Sequence, residues 1–262
     1  MRIAVLGLGE AGSLIASDLA RAGDEVHGYD RAEVSTPEGV IVHPEPAAAM
    51  SGCDLILALT PGSEARGALA GVLDSLVGPT VYADLSTAAP TLKADLAGMV
   101  AARGARFADV ALMSPVPGRG LATPALVSGD GSVWYAAEIN RRGGSVVVVG
   151  PEAGEAATRK LLRSVVMKGL AAILIEGMEA AARADKDGWF WGHVVDQLTD
   201  LDEPMLRRLL LDTAPHAKRR VEEMEAARVL LLELGVPPTM TTATVANLRR
   251  LLEEGMPDLS IG

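Results

Sequence analysis

The chain has 262 residues, and 49% of them are hydrophobic, which excludes wholesale disorder. Its 24 basic against 34 acidic residues leave a net charge of −10, which argues against a nucleic acid or an anionic membrane as partner, because phosphate binding needs clustered positive charge. One cysteine cannot form an internal disulfide, and 3% aromatic residues provide no stacking platform for single strands.

Met1-Arg2 is followed by a few apolar residues and then by glycines, so no signal peptide is read here. No run reaches the roughly 18 apolar residues that a membrane span needs. A reducing, cytoplasmic setting is the expectation. The four histidines and one cysteine have no metal-ligand spacing, so no metal site is expected.

The first 150 residues alternate between two textures. Short β-branched runs occur at 2–6, 25–29, 54–59, 79–83, 106–112 and 144–149. Alanine- and leucine-rich stretches with helical spacing fill 10–22, 63–76, 89–102 and 130–141. This alternation predicts a doubly wound, mostly parallel sheet with helices on both faces, a Rossmann-type α/β domain over 1–150. The texture changes at Pro151. Residues 154–184 read as one long helix, followed by helical stretches at 203–234, interrupted by Pro215, and at 239–255 after Pro237-Pro238. Residues 151–262 are therefore expected to form an all-helical domain. A long apolar helix in so small a domain points to burial against a second subunit, with a helix folded back onto its own sheet as the alternative.

The first strand runs into Gly7-Leu8-Gly9-Glu10-Ala11-Gly12, and a helix follows. GxGxxG between strand and helix is a phosphate-binding turn. Gly7 permits the tight turn, Gly9 lets backbone approach a pyrophosphate, and Gly12 allows close helix–strand packing. The helix N-terminus then offers free N–H groups and its positive dipole end. Asp30 ends the second strand, 18 residues after Gly12, where an acid accepts ribose hydroxyls and favours NAD. The adjacent Arg31 could pair a 2′-phosphate instead, which keeps NADP open.

Three later segments stand out: Ala83-Asp84-Leu85-Ser86-Thr87-Ala88-Ala89-Pro90, Asp109-Val110-Ala111-Leu112-Met113-Ser114-Pro115, and Gly154-Glu155-Ala156-Ala157-Thr158-Arg159-Lys160. With the glycine turn, they resemble the β-hydroxyacid dehydrogenase superfamily, which includes 6-phosphogluconate and 3-hydroxyisobutyrate dehydrogenases. The stretches PVPGRGLATP, KLLRSVVMKG and HAKRRVEEM are similar to a branch whose C-terminal domain is described as phosphogluconate dehydrogenase-like. The resemblance implies that Ser86 and Thr87 lie beside the nicotinamide ribose, that Met113 and Ser114 stand at the substrate loop, and that Lys160 is catalytic. It also implies a homodimer through the helical domain. Two departures mark this chain. Met113-Ser114-Pro115 replaces the family's S-G-G, and Arg163-Ser164 replaces an asparagine pair after the lysine.

The candidate cofactor contacts are thus Gly7, Leu8, Gly9, Glu10, Ala11, Gly12, Asp30, Arg31, Thr60, Pro61, Ser86 and Thr87. The candidate catalytic groups are Lys160, Ser164 and Lys168. At 100° per residue these three fall within about 80° of arc, a polar stripe on an apolar helix. Lys160 would move one proton during hydride transfer, with Lys168 as its rival. The alternative for both lysines is a side chain snorkelling to water. Arg119 in a glycine-flanked loop could pair an anion. His216, Arg219, Arg220 and Glu222, with Glu223 on the same face, read first as an ion-paired surface or interface. Trp189-Phe190-Trp191 reads as interface or core packing, and Cys53 as a buried thiol without a base beside it.

The function expected is hydride transfer between NAD, or NADP, and a small hydroxy acid or its keto form. The alternatives are an imine reductase on the same architecture and a non-catalytic dinucleotide-binding protein.

Overall fold

The computed structural model describes residues 1–259. Strand and helix alternate from the start: β1 (Arg2–Leu6), α1 (Glu10–Arg21), β2 (Glu25–Tyr29), β3 (Val40–Val42), α2 (Pro46–Met50), β4 (Leu55–Ala58), α3 (Ala65–Ala70), β5 (Val81–Asp84), α4 (Pro90–Ala101), β6 (Arg106–Leu112), β7 (Pro124–Ser128), α5 (Ser132–Arg141) and β8 (Ser145–Gly150). Helices follow alone: α6 (Glu155–Arg183), α7 (Asp187–Thr199), α8 (Glu203–Leu211), α9 (Ala217–Glu233) and α10 (Thr239–Glu254).

The eight strands form one sheet in the order β3-β2-β1-β4-β5-β6-β7-β8. All neighbours are parallel except β6 and β7. Strand alternation divides the apolar residues between two layers. Ile3, Val5, Leu55 and Leu57 join Ile15 and Leu19 of α1 and Ile139 of α5 on one face. Ala4, Leu6 and Ile56 join Met50 of α2, Leu69 of α3 and Leu96 and Val100 of α4 on the other. The chain leaves β1 toward β2 and β3, then returns to the opposite side of β1 as β4. That reversal opens a crevice at the carboxyl ends of β1 and β4, where doubly wound sheets bind ligands.

The structure departs from the sequence reading in several elements, among them the short helix α2, which was not expected. β3 is three residues long and follows Gly39, whose φ is 75°; so short a run carries no strand signal. β7 opens on a proline, as the first residue of a strand can, and its antiparallel pairing ends the parallel run. The helix expected over 63–76 stops at Gly71, and a 3-10 turn, Leu73–Ser75, follows. The Trp189-Phe190-Trp191 run lies inside α7, a helix that falls between the helical stretches expected at 154–184 and 203–234.

Met1–Arg163 and Ser164–Gly262 are two compact units, so the division falls within α6, whereas composition changes at Pro151. In the second unit a Cβ at Gly177 of α6 would stand 2.7 Å from the Phe190 ring of α7, so the glycine is what lets these helices close. Glu176 caps α10: its carboxylate accepts from the backbone N–H of Met240 at 2.6 Å and of Thr241 at 2.8 Å, and from the Thr241 hydroxyl at 2.7 Å. Asp202 caps α8 through the Met205 N–H at 2.8 Å. Pro215 lies between α8 and α9, where the sequence placed the interruption. No helix among the described residues is long and apolar enough to cross a membrane.

Candidate functional site

Gly7 turns the chain out of β1 with φ 91°, and a Cβ there would meet the Leu59 carbonyl oxygen at 2.5 Å. A Cβ at Gly12 would lie 1.8 Å from the Gly7 oxygen, so α1 can begin only where this residue has no side chain. Gly9 is the N-cap of α1 and lends no side-chain hydrogen bond, and a Cβ there would meet nothing within 4 Å. Bare backbone thus faces open space at a helix N-terminus whose first N–H groups lack partners within the helix. That cradle fits a pyrophosphate. Leu8 is buried in the core, Ala11 is half-buried and Glu10 is exposed.

Around the turn lies a cavity of about 590 Å³, lined by Gly7, Gly9, Asp30, Arg31, Thr60 and Pro61 among others. Asp30 is held by two backbone donors, the Leu8 N–H at 2.7 Å and the Ala32 N–H at 2.8 Å. The carboxylate is thereby tied both to the glycine turn and to the end of β2. Arg31 reaches across to Glu64, with Nη2 to Oε1 at 3.0 Å. Glu64 is the N-cap of α3 and also lines the cavity. It was not foreseen from sequence, since only folding brings it opposite Arg31. Gly62 draws the loop after β4 onto the loop after β5: a Cβ there would stand 2.4 Å from the Thr87 oxygen. Ser86 and Thr87 themselves lie outside the cavity lining. Ser86 is buried, its backbone N–H and hydroxyl both donating to Asp84, at 3.0 and 2.9 Å, whereas Thr87 is exposed.

Beneath these loops sits a buried charged cluster that the sequence reading also missed. Lys93 Nζ lies 3.1 Å from Asp84 Oδ2, 3.1 Å from Asp109 Oδ1 and 2.8 Å from the Asp84 carbonyl oxygen. Lys93 and Asp109 have no exposure and Asp84 has 1%. Asp109 Oδ2 accepts from the Gly154 and Ala157 N–H groups, each at 3.0 Å, and from the Ser128 hydroxyl at 3.2 Å. Asp109 therefore caps the start of α6, where helix polarity favours an anion. One signal could have found it: Lys93 shares a helix face with Leu96 and Val100, at the spacing of a buried stripe.

Lys160 lies half-buried in the opening turns of α6, within the first unit, while Ser164 and Lys168 begin the second. Ser164 is half-buried and Lys168 exposed. None of the three lines the cavity around the glycine turn. Met113 and Ser114 are half-buried just after β6. Their loop is pinned to α1, because Asp18 Oδ2 accepts the Leu121 N–H at 2.7 Å. Arg119 is exposed. In α9, Arg219 pairs with Glu223, and Arg220 donates to the Thr213 hydroxyl at 2.8 Å. Burial pushes the Cys53 thiol up from its ordinary pKa, so it stays protonated. Among the described residues no group of three or more His, Cys, Asp or Glu is placed to hold a metal.

A doubly wound sheet, a glycine turn at its switch point and an acid after β2 define a dinucleotide-binding protein. Residues 2–150 match the NAD binding domain of 6-phosphogluconate dehydrogenase, and the chain belongs to that family. Residues 181–251 match a family described as a domain of unknown function, DUF1932. Mitochondrial 3-hydroxyisobutyrate dehydrogenase of Drosophila melanogaster is 28% identical over 142 residues, 51% of this chain and 43% of that protein. The cytokine-like nuclear factor N-PAC of Xenopus tropicalis is 31% identical over 196 residues, 69% of this chain and 36% of that one. The matched region thus spans less than half the length of each of these two relatives. Among solved structures, a conserved protein of unknown function, described as similar to 3-hydroxyacid dehydrogenases, aligns with TM-score 0.62 and 25% identity over 97% of each chain. An imine reductase of Streptomyces aurantiacus shares the fold at TM-score 0.79, with 20% identity over 98% of this chain and 96% of its own. The chain therefore has a hydroxyacid dehydrogenase-like, NAD(P)-binding fold.

Proposed function

We propose that the protein transfers a hydride between NAD and a small hydroxy acid or its keto form, with Lys160 as general acid and base. The observation that carries this reading is the cradle at Gly9 with the Asp30 carboxylate fixed beside it, at 2.7 Å from the Leu8 N–H. In this reading the open backbone and the α1 N-terminus hold the pyrophosphate, and Asp30 accepts the ribose hydroxyls. Thr60 and Pro61 line the path toward the nicotinamide half, with Ser86 and Thr87 beside its ribose. Met113 and Ser114 hold the substrate.

When bound, the dinucleotide supplies the hydride acceptor or donor. During oxidation Lys160 Nζ would take the proton released from the substrate hydroxyl as its C=O bond forms. Reduction returns that proton from the ammonium to the new alkoxide oxygen. Ser164 and Lys168, one and two turns further along α6, serve as relay and reserve on the same helix face. The remaining faces of that helix support a homodimer. Leu162, Val165, Val166 and Ile173 are half or more exposed, on a stripe opposite the three polar residues. A second copy of the chain is the partner proposed for it. The single, buried, protonated Cys53 accords with a reducing, cytoplasmic setting.

The test is a titration of NADH and NADPH on wild type and on Asp30→Ala, read by nucleotide fluorescence. NADH binding is expected to be the tighter of the two and to weaken at least tenfold in the variant. Hydroxy acids are then screened with Lys160→Ala as the inactive control. Failure to bind either dinucleotide would remove the dehydrogenase reading. Binding with turnover that survives Lys160→Ala would remove the role given to that lysine.

A further inference from the structure

Asp30, Arg31 and Glu64 are the charged residues lining the cavity around the glycine turn, and their formal charges sum to −1. Arg31 follows β2 on one wall, and Glu64 opens α3 on the other. Their ion pair, at 3.0 Å, spans the mouth of the cleft, with side-chain exposures of 79% and 42%. Asp30 is the neighbour of Arg31 in sequence, and its carboxylate is fixed by the Leu8 and Ala32 N–H groups. Any 2′-substituent on a ribose held by Asp30 therefore enters between Asp30 and Arg31.

NAD and NADP present different chemistry at that point. The 2′-hydroxyl is a neutral donor and suits a carboxylate. The 2′-phosphate is close to a dianion and needs a guanidinium with free donors. Arg31 is the cation near enough to serve, yet its Nη2 already donates to Glu64. A phosphate would have to displace an anion that the chain itself supplies, on a rim that is already net negative. We propose that Glu64 sets the dinucleotide preference of this cleft by occupying Arg31, so that NADP is rejected through Glu64 as well as through Asp30. The inference rests on the dinucleotide reading above and assigns to it a residue outside the glycine turn and the β2 acid.

The backbone around Glu64 is held independently of its side chain. Its N–H donates to the Pro61 oxygen at 2.9 Å, and its oxygen accepts from Ala68 at 2.9 Å. Glu64→Gln therefore keeps the turn and removes one charge. The rim then sums to zero and the Arg31 fork is no longer tied by an anion.

The experiment measures Kd for NADH and NADPH on wild type, Glu64→Gln, Arg31→Ala and the double variant, at low and high salt. Wild type is expected to prefer NADH. Glu64→Gln is expected to tighten NADPH about tenfold, with NADH changed by less than about threefold, and the gain is expected to shrink at high ionic strength. Adding Arg31→Ala should cancel it. Equal effects on both dinucleotides, no effect on NADPH, or a gain that survives loss of Arg31 would each overturn the assignment. So would a wild type that already prefers NADPH. A wild type that binds neither dinucleotide overturns the functional reading itself, which separates the two failures.

Discussion

Residues Met1–Arg163 bury an apolar layer on each face of the sheet and enclose Asp84, Lys93 and Asp109 between them. Residues Ser164–Gly262 gather a described apolar cluster of just Ala180, Leu231 and Val236, and leave Ile175, Trp189, Trp191 and Leu209 exposed. The two units have similar proportions of hydrophobic sequence and use them in opposite ways. The first buries enough of its apolar residues to hold three charges dry. The second presents many of its apolar side chains outward, and the homodimer proposed above rests on that surface. The first unit should therefore respond to mutation as a monomeric core does, and the second should respond through association.

The sharpest way to break the comparison is Lys93→Met. Its ammonium is shared by two buried carboxylates at 3.1 Å each. Removing it leaves uncompensated charge in the interior, a change that costs about 3–5 kcal/mol. The loss should appear in urea unfolding as a lower midpoint with an unchanged slope. Because Asp109 holds the Gly154 and Ala157 N–H groups, hydrogen exchange at the start of α6 should accelerate as well. An unchanged midpoint would mean that the cluster is not the electrostatic keystone its burial suggests.

The second unit is tested by Val165→Glu combined with Val166→Glu. These side chains are 72% and 66% exposed in the single chain, so a monomer would scarcely notice the change. In a homodimer that buries them, each lost valine costs roughly 1.5–3 kcal/mol before the charge is counted. The expected result is a shift from dimer to monomer mass in light scattering, with loss of the concentration dependence of Tm. A monomeric wild type, or a double variant that keeps the dimer, would overturn the homodimer proposal.

How much was legible in advance follows the same division. The glycine turn, Asp30 and the strand–helix alternation are local: each is set by residues adjacent in the chain, so the pattern gave them away. The long helix of Glu155–Arg183 was legible because no proline interrupts it and alanine and leucine fill it. The Arg31–Glu64 pair joins residues 33 apart, and the Lys93–Asp109 contact closes only when α4 is laid along β6. Neither meeting has a signature in spacing, although the burial of Lys93 itself has one in the face it shares with Leu96 and Val100. Lys93 was hidden further because a lysine on a helix reads by default as solvated. Helix α7 was hidden by Gly188 and Gly192, which weaken local propensity and which the packing of Phe190 against Gly177 outweighs.

The gentlest probe is Glu176→Gln, which asks whether the helical unit has any internal polar anchor of its own. Burial pushes the Glu176 carboxyl upward, but hydrogen bonds from the Thr241 hydroxyl and the Met240 and Thr241 N–H groups outweigh it and hold the group below its ordinary range. A depressed carboxyl stabilises the fold fully above the unfolded-state value of about 4.3 and loses that contribution as pH falls through the lower folded value. Glutamine keeps one acceptor oxygen and loses the charge, so a cost of about 1–2 kcal/mol is expected at neutral pH. The gap between wild type and variant should narrow as pH falls below the unfolded-state value of about 4.3 and close once pH passes the lower folded value, where the wild-type side chain is protonated too. Equal pH dependence of Tm in both proteins would show that α10 is held by its apolar face, Val245, Leu248 and Leu251, and that the cap adds nothing to it.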